Sequence, residues 1–209
     1  RTLMSDINIK QIHYKGWKNA LELSNSLIKV IVVPETGRIH SLSFIDGNNI
    51  FYENEKLNGI IFNKDEFYTE NGEKSAPNIA GNRVLPCSEE YFHLITGSRH
   101  IADPYINASA YTVSEIKNGI ILKSPVSQLL GIQIIRKITL SEESSTINIA
   151  QELVKVKAAK EGNIVKNGEY IHVYSMDATK KIGKNPLYDF AKYDTHYSIF
   201  LEKDKNGIY

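Results

Sequence analysis

Short runs of alternating apolar and polar residues fill most of this chain, separated by turn chemistry, and that rhythm predicts antiparallel strands. Ala20–Leu23 alternates, Ser24–Ser26 turns, and Leu27–Val33 is a β-branched run ended by Pro34. Glu35-Thr36-Gly37 turns again. Arg38–Phe44 alternates, with Ile39, Leu42 and Phe44 on the core side, and Asp46–Asn49 leads into a returning strand at Ile50–Tyr52. Tyr111–Ile116 and Ile120–Lys123 form a hairpin around Lys117-Asn118-Gly119. Gly131–Leu140 and Thr146–Val156 pair across Ser141–Ser145, and Glu169–Met176 and Tyr197–Leu201 read as later strands. The predicted class is all-β and antiparallel.

Four stretches break the rhythm. Residues 1–19 read as a polar lead-in whose Trp17 packs a lid residue onto the first strands. Residues 55–80 read as an excursion over the sheet and 157–168 as an exposed connection. Residues 84–109 are irregular and dense in polar and aromatic groups. After the turn at Glu202–Gly207 only Ile208-Tyr209 remain, too little for a returning strand. The expectation is a single domain over 1–209, incomplete at its C-terminus or lacking internal segments.

Composition narrows the partners. Hydrophobic residues make up 42% of the 209 and charged residues 23%, enough for a packed core. A net charge of +1 supplies no basic field for nucleic acid. No apolar run approaches bilayer-spanning length, so no membrane insertion is expected. The single cysteine, Cys87, cannot form an internal disulfide, and no Cys/His spacing reads as a metal site. No nucleotide-binding glycine motif appears, so no cofactor is expected. A natural start at Met4, behind a three-residue scar, would favour the cytoplasm; export stays open.

The stretch with most chemical content is Asn78-Ile79-Ala80-Gly81-Asn82-Arg83-Val84. Glycine lets the backbone turn sharply or approach a ligand. An arginine after such a turn offers a fixed fork of donors to hydroxyls or carboxylates. The plainer alternative is a surface turn that happens to end in arginine. Downstream, Glu89, Glu90, His93, His100 and Asp103 lie in one irregular segment, and His100 and Asp103 suggest a His–carboxylate pair. Adjacent acids such as Glu89 and Glu90 are ordinarily solvated, and His93 beside Phe92 and Leu94 suits packing equally well. Tyr91, Tyr105 and Tyr111 could stack on the C–H faces of a sugar, although tyrosine is also simply a good strand residue. His13, His40 and His196 have no constellation and read as structural.

In order, these segments resemble the galactose mutarotase-like (aldose 1-epimerase-like) superfamily, nearest its small uncharacterised members. The resemblance covers roughly residues 17–156. It rests on Val-Val-Pro, Glu-Thr-Gly-Arg-Ile-His-Ser-Leu-Ser-Phe and Asp-Gly-Asn-Asn-Ile, then the Asn82–Arg83 loop, then Ser124-Pro125 before Gly131–Lys137. It implies an antiparallel β-supersandwich with a cleft for a carbohydrate or another polyhydroxylated small molecule. It also implies an aldose 1-epimerase-like isomerase, in which a base and an acid open the sugar ring. Arg83 and Asn82 then hold the sugar, with His93, Asp103 and Tyr105 as further binding residues. His172, in Tyr170-Ile171-His172-Val173-Tyr174, takes the place of the acid, with His100 and Glu90 as other catalytic candidates. No glutamate near the end matches the family's base. The alternatives are a noncatalytic carbohydrate-binding module and a structural or interaction domain.

Overall fold

The computed structural model describes residues 7–62, 79–85, 103–107, 109–128, 130–157, 170–171, 174–176, 185–186 and 192–200. Two antiparallel sheets dominate them. The first is a meander of β1 (Asn8–Tyr14), β2 (Trp17–Ser24), β3 (Ile28–Val33) and β4 (Arg38–Phe44) in that spatial order. The second has five strands, in the order β13 (Lys192–Phe200), β9 (Thr146–Lys155), β8 (Ile132–Leu140), β7 (Gly119–Lys123) and β6 (Thr112–Ile116). Two short antiparallel pairs complete the described strands: β5 (Arg83–Leu85) with β11 (Tyr174–Met176), and β10 (Tyr170–Ile171) with β12 (Asn185–Pro186). Among the described residues, helix is confined to single turns at Pro34–Thr36, Glu55–Leu57 and Pro104–Asn107. The all-β expectation holds.

The alternation read from the sequence decides how the sheets meet. Leu21, Leu23, Ile28, Val30, Val32, Ile39 and Leu42 face inward from the first sheet. Ile120, Leu122, Ile132, Ile134, Ile138, Leu140, Ile147, Ile149 and Leu153 meet them from the second in one core. Burying apolar area on this scale is the main favourable term in folding. Asn25 ties the sheet ends together. Its Oδ1 accepts from the Leu27 and Ile28 amides at 2.8 Å, and its Nδ2 donates to the Ser141 and Ser144 carbonyls at 2.8 and 2.9 Å.

Several expectations are corrected. The polar lead-in is in fact β1 and the start of β2, joined by a two-residue turn in which Lys15 and Gly16 both have positive φ, 46° and 96°. That turn matches the twist of a hairpin, and the edge strand is polar because one of its faces meets water. Ile50–Tyr52 is not a strand; only an isolated bridge joins Glu53 to Ala80. The last strand begins at Lys192, five residues before the apolar alternation shows it, because pairing with β9 extends it. The strand expected at Arg38–Phe44 has those bounds, and β3, β6, β7, β8 and β9 each differ from expectation by one residue at one end. Residues 172–173 lie outside the described residues, within the expected Glu169–Met176 strand.

Candidate functional site

The Gly81-Asn82-Arg83 turn is built into the join between the sheets. Gly81 has φ 45°, and a side chain there would collide with the Ile39 carbonyl, so only glycine fits. The Gly81 amide donates to the Tyr52 carbonyl at 2.8 Å. Asn82 bridges to Ile39 through both backbone groups, at 2.9 and 3.3 Å. Its fully buried side chain accepts a hydrogen bond from Arg136. Arg83 then opens β5 with a partly buried side chain.

Two further arginines hold this turn from beneath. Arg136 sits on the inner face of β8, where alternation would place another isoleucine. It is fully buried and donates to the carbonyls of Gly37 at 2.8 Å and Asn82 at 3.4 Å, as well as to the Asn82 side chain. Arg38 is 1% exposed and donates to the carbonyls of Ala80 at 3.3 Å and Asn107 at 3.1 Å, while its Nε meets no acceptor. Burial, then the neighbouring Arg83 and Arg136 charges, push the Arg38 guanidinium down to about 9, so it is still charged at neutral pH. On β9, directly opposite Arg136, Gln151 is 1% exposed and both of its amide atoms lack hydrogen-bond partners.

The other candidates take varied places. Asp103 is fully buried; its carboxylate accepts from the Ser127 hydroxyl and from the Tyr105 amide at 3.0 Å, which starts the turn Pro104–Asn107. Tyr105 is partly buried. Tyr111 belongs to the core: its ring covers Gly37 and its hydroxyl donates to the Ile106 carbonyl at 2.8 Å. That burial, together with Asp103, raises the Tyr111 hydroxyl pKa. Glu90, His93, His100 and His172 lie outside the described residues.

Sequence reading missed a second buried polar cluster, centred on His40. Ile31 pairs with Ser41 but Val32 pairs with Ile39, so His40 is the extra residue of a bulge in β4. The bulge turns its ring toward the sheet's outer face, where Trp17 packs edge-on at 4.7 Å. Thr36 Oγ1 lies 2.9 Å from His40 Nε2, and Glu53 Oε1 lies 3.7 Å from Nδ1, beyond hydrogen-bond length. Burial pushes the His40 ring toward its neutral form, with the Arg38 charge adding to this and Glu53 opposing it. Glu53 accepts from Tyr14 Oη at 2.8 Å, Lys15 Nζ at 2.6 Å and Asn49 Nδ2 at 3.1 Å. Burial alone would raise this carboxyl, but the facing His40, Lys15 and Tyr14 bring it down to about 2. Trp17 donates to the Ile60 carbonyl at 3.0 Å, which fastens the 51–62 segment over the cluster. The signal was hidden because His40 and Glu53 are distant in sequence and a bulge leaves no periodic trace.

Among the described residues, no three His, Cys, Asp or Glu side chains converge to hold a metal, and no helix is long and apolar enough to cross a membrane. No family model, curated protein or solved structure matches this chain.

Proposed function

We propose that the protein is a carbohydrate-binding domain of the galactose mutarotase-like kind, its two sheets forming part of a β-supersandwich, with Arg83 as the sugar anchor. The single observation behind this reading is the rigidity of the turn that carries Arg83. Gly81 is held at positive φ, Asn82 is locked between β4 and β8, and Ala80 is fastened by Arg38. A ligand-binding side chain on a fixed backbone loses less entropy on binding. Hydroxyl groups are natural acceptors and donors for such a fork. Isomerase activity belongs to the same reading, with His172, His100 and Glu90 as acid–base candidates and His93, Asp103 and Tyr105 beside the sugar. Isothermal calorimetry against a panel of aldoses tests it. We expect millimolar or tighter binding that weakens at least tenfold in Arg83→Gln. Binding of no sugar would overturn the reading. Polarimetry on the same sugars separates an isomerase, which accelerates mutarotation, from a noncatalytic module, which does not.

A further inference from the structure

The β1–β2 hairpin and the 51–62 segment clasp one buried histidine between them. Thr36 has a single hydroxyl hydrogen, which it gives to the Val33 carbonyl at 3.1 Å. The 2.9 Å contact between Thr36 Oγ1 and His40 Nε2 therefore takes its hydrogen from the ring. In the neutral ring that fixes the proton on Nε2 and leaves Nδ1 as a bare lone pair. Nδ1 is shielded from solvent and has no hydrogen-bond partner, and it faces a carboxylate oxygen, Glu53 Oε1, at 3.7 Å. Two electron-rich atoms thus face each other with no hydrogen between them, where the segment meets the sheet. Contacts with the hairpin close the clasp over this ring. Glu53 accepts from Tyr14 and Lys15, Trp17 donates to the Ile60 carbonyl, and a side chain on Gly59 would press on the Gly16 backbone.

A proton on Nδ1 changes the balance inside the clasp, because it makes a cation where water does not reach. The charges that bear on the ring are Lys15 from the hairpin, Arg38 from its own strand and Glu53 from the segment. Tyr14 and Trp17 present their rings, and the Pro34–Thr36 turn presents Thr36, its Glu35 being engaged by Asn19 at 3.0 Å. The Glu53 carboxylate is already shared among Tyr14, Lys15 and Asn49. Burial, the largest effect, and the two cations outweigh Glu53 and hold the ring below its ordinary value of 6.5. Once the segment lifts, water reaches Nδ1 and the ring takes its proton as a free histidine does. The lifted state binds the proton better, so acid favours it. We propose that the 51–62 segment is an acid-released strap: protonation at His40 Nδ1 frees it from the β1–β2 hairpin and uncovers Trp17 while both sheets stay folded.

Trp17 is the chain's one tryptophan, so it reports the clasp directly. The test is its emission maximum and its quenching by acrylamide, on the full chain, as pH falls from about 8 to about 4, with circular dichroism reporting the sheets. We expect a red shift and a severalfold rise in quenching, with a midpoint below pH 6.5 and an unchanged sheet signal. His40→Gln should flatten both readouts over the same range. Gly59→Ala, which weakens the closed strap, should move the midpoint to higher pH. If His40→Gln does not fold, the wild-type titration and the Gly59→Ala shift still decide. A Trp17 that stays shielded until the sheets unfold overturns the strap. So does an opening that persists at the same pH in His40→Gln, since another group would then be titrating. Dimmer emission with no red shift and no added quenching means that the ring charges with the segment in place, and overturns it too.

Discussion

The first sheet carries a polar cluster on its outer face, and the sandwich holds another within; they differ in how their charge is balanced. In the outer cluster Glu53 is met by Lys15, Tyr14, Asn49 and the His40 ring, so its one anion faces a cation and several dipoles. In the inner cluster Arg38 meets only carbonyls. A balanced buried network costs little beyond its desolvation and serves to fasten one segment to another. A buried guanidinium held by carbonyls alone is costlier to keep, because neutral acceptors offset less of its desolvation. The outer cluster contains a Thr–His–Glu series, the type of residue set that attracts a catalytic reading. Thr36 and His40 are almost wholly shielded from solvent, however, and Thr36 also donates to the Val33 carbonyl at 3.1 Å. The cluster's visible work is to hold the 51–62 segment on the sheet.

Substitutions can separate the two roles. The largest loss of stability is expected from Gly81→Ala, because a left-handed backbone and a collision with the Ile39 carbonyl combine; about 4 kcal/mol, read by urea unfolding, is the expected size. Arg136→Leu comes next, at about 3 kcal/mol, since it leaves the buried Asn82 side chain and the Gly37 carbonyl without their donor. A stabilised Arg136→Leu would mean that the inner cation has no structural purpose at all. Glu53→Gln should cost about 2 kcal/mol through the loss of a charge-assisted bond to Lys15.

Acid sharpens the same contrast. Glu53 is depressed from 4.5 to about 2, so its contribution is complete above pH 4.5 and is lost as pH falls toward 2. His40 is depressed below 6.5, so protons favour the unfolded chain and stability already declines as pH falls through 6.5. Melting curves against pH should show both limbs in the wild type. Only the lower limb should remain in His40→Gln, and only the upper one in Glu53→Gln. An unchanged profile in both variants would remove the outer cluster from the stability account. The smallest effect is expected at the pair of exposed Lys10 and half-buried Glu22, 3.0 Å apart on the outer hairpin: Lys10→Ala should change stability by less than about 0.5 kcal/mol.

Much of the fold was legible in the residue pattern. Val30, Val32, Ile39 and Leu42 could be assigned to the core because a strand's side chains alternate faces, and Lys117-Asn118 could be assigned to a turn because asparagine tolerates the left-handed conformation it adopts, with φ 62°. Asn82 and Arg83 could be singled out because a glycine before them marks an unusual backbone. The polar edge strand β1 was not legible, since its residues are fixed by pairing with β2 and not by a buried face of their own. Arg136 looked like one polar position in an apolar strand, and nothing local said that its neighbour in space would be Asn82, 54 positions away. The sequence by itself therefore determined the strands, their faces and the turn at Gly81, all of which depend on spacing along the chain. Tertiary structure alone decided that three arginines gather at that turn and that His40 meets Glu53, because charge and hydrogen bonding act through space between residues that no periodicity connects.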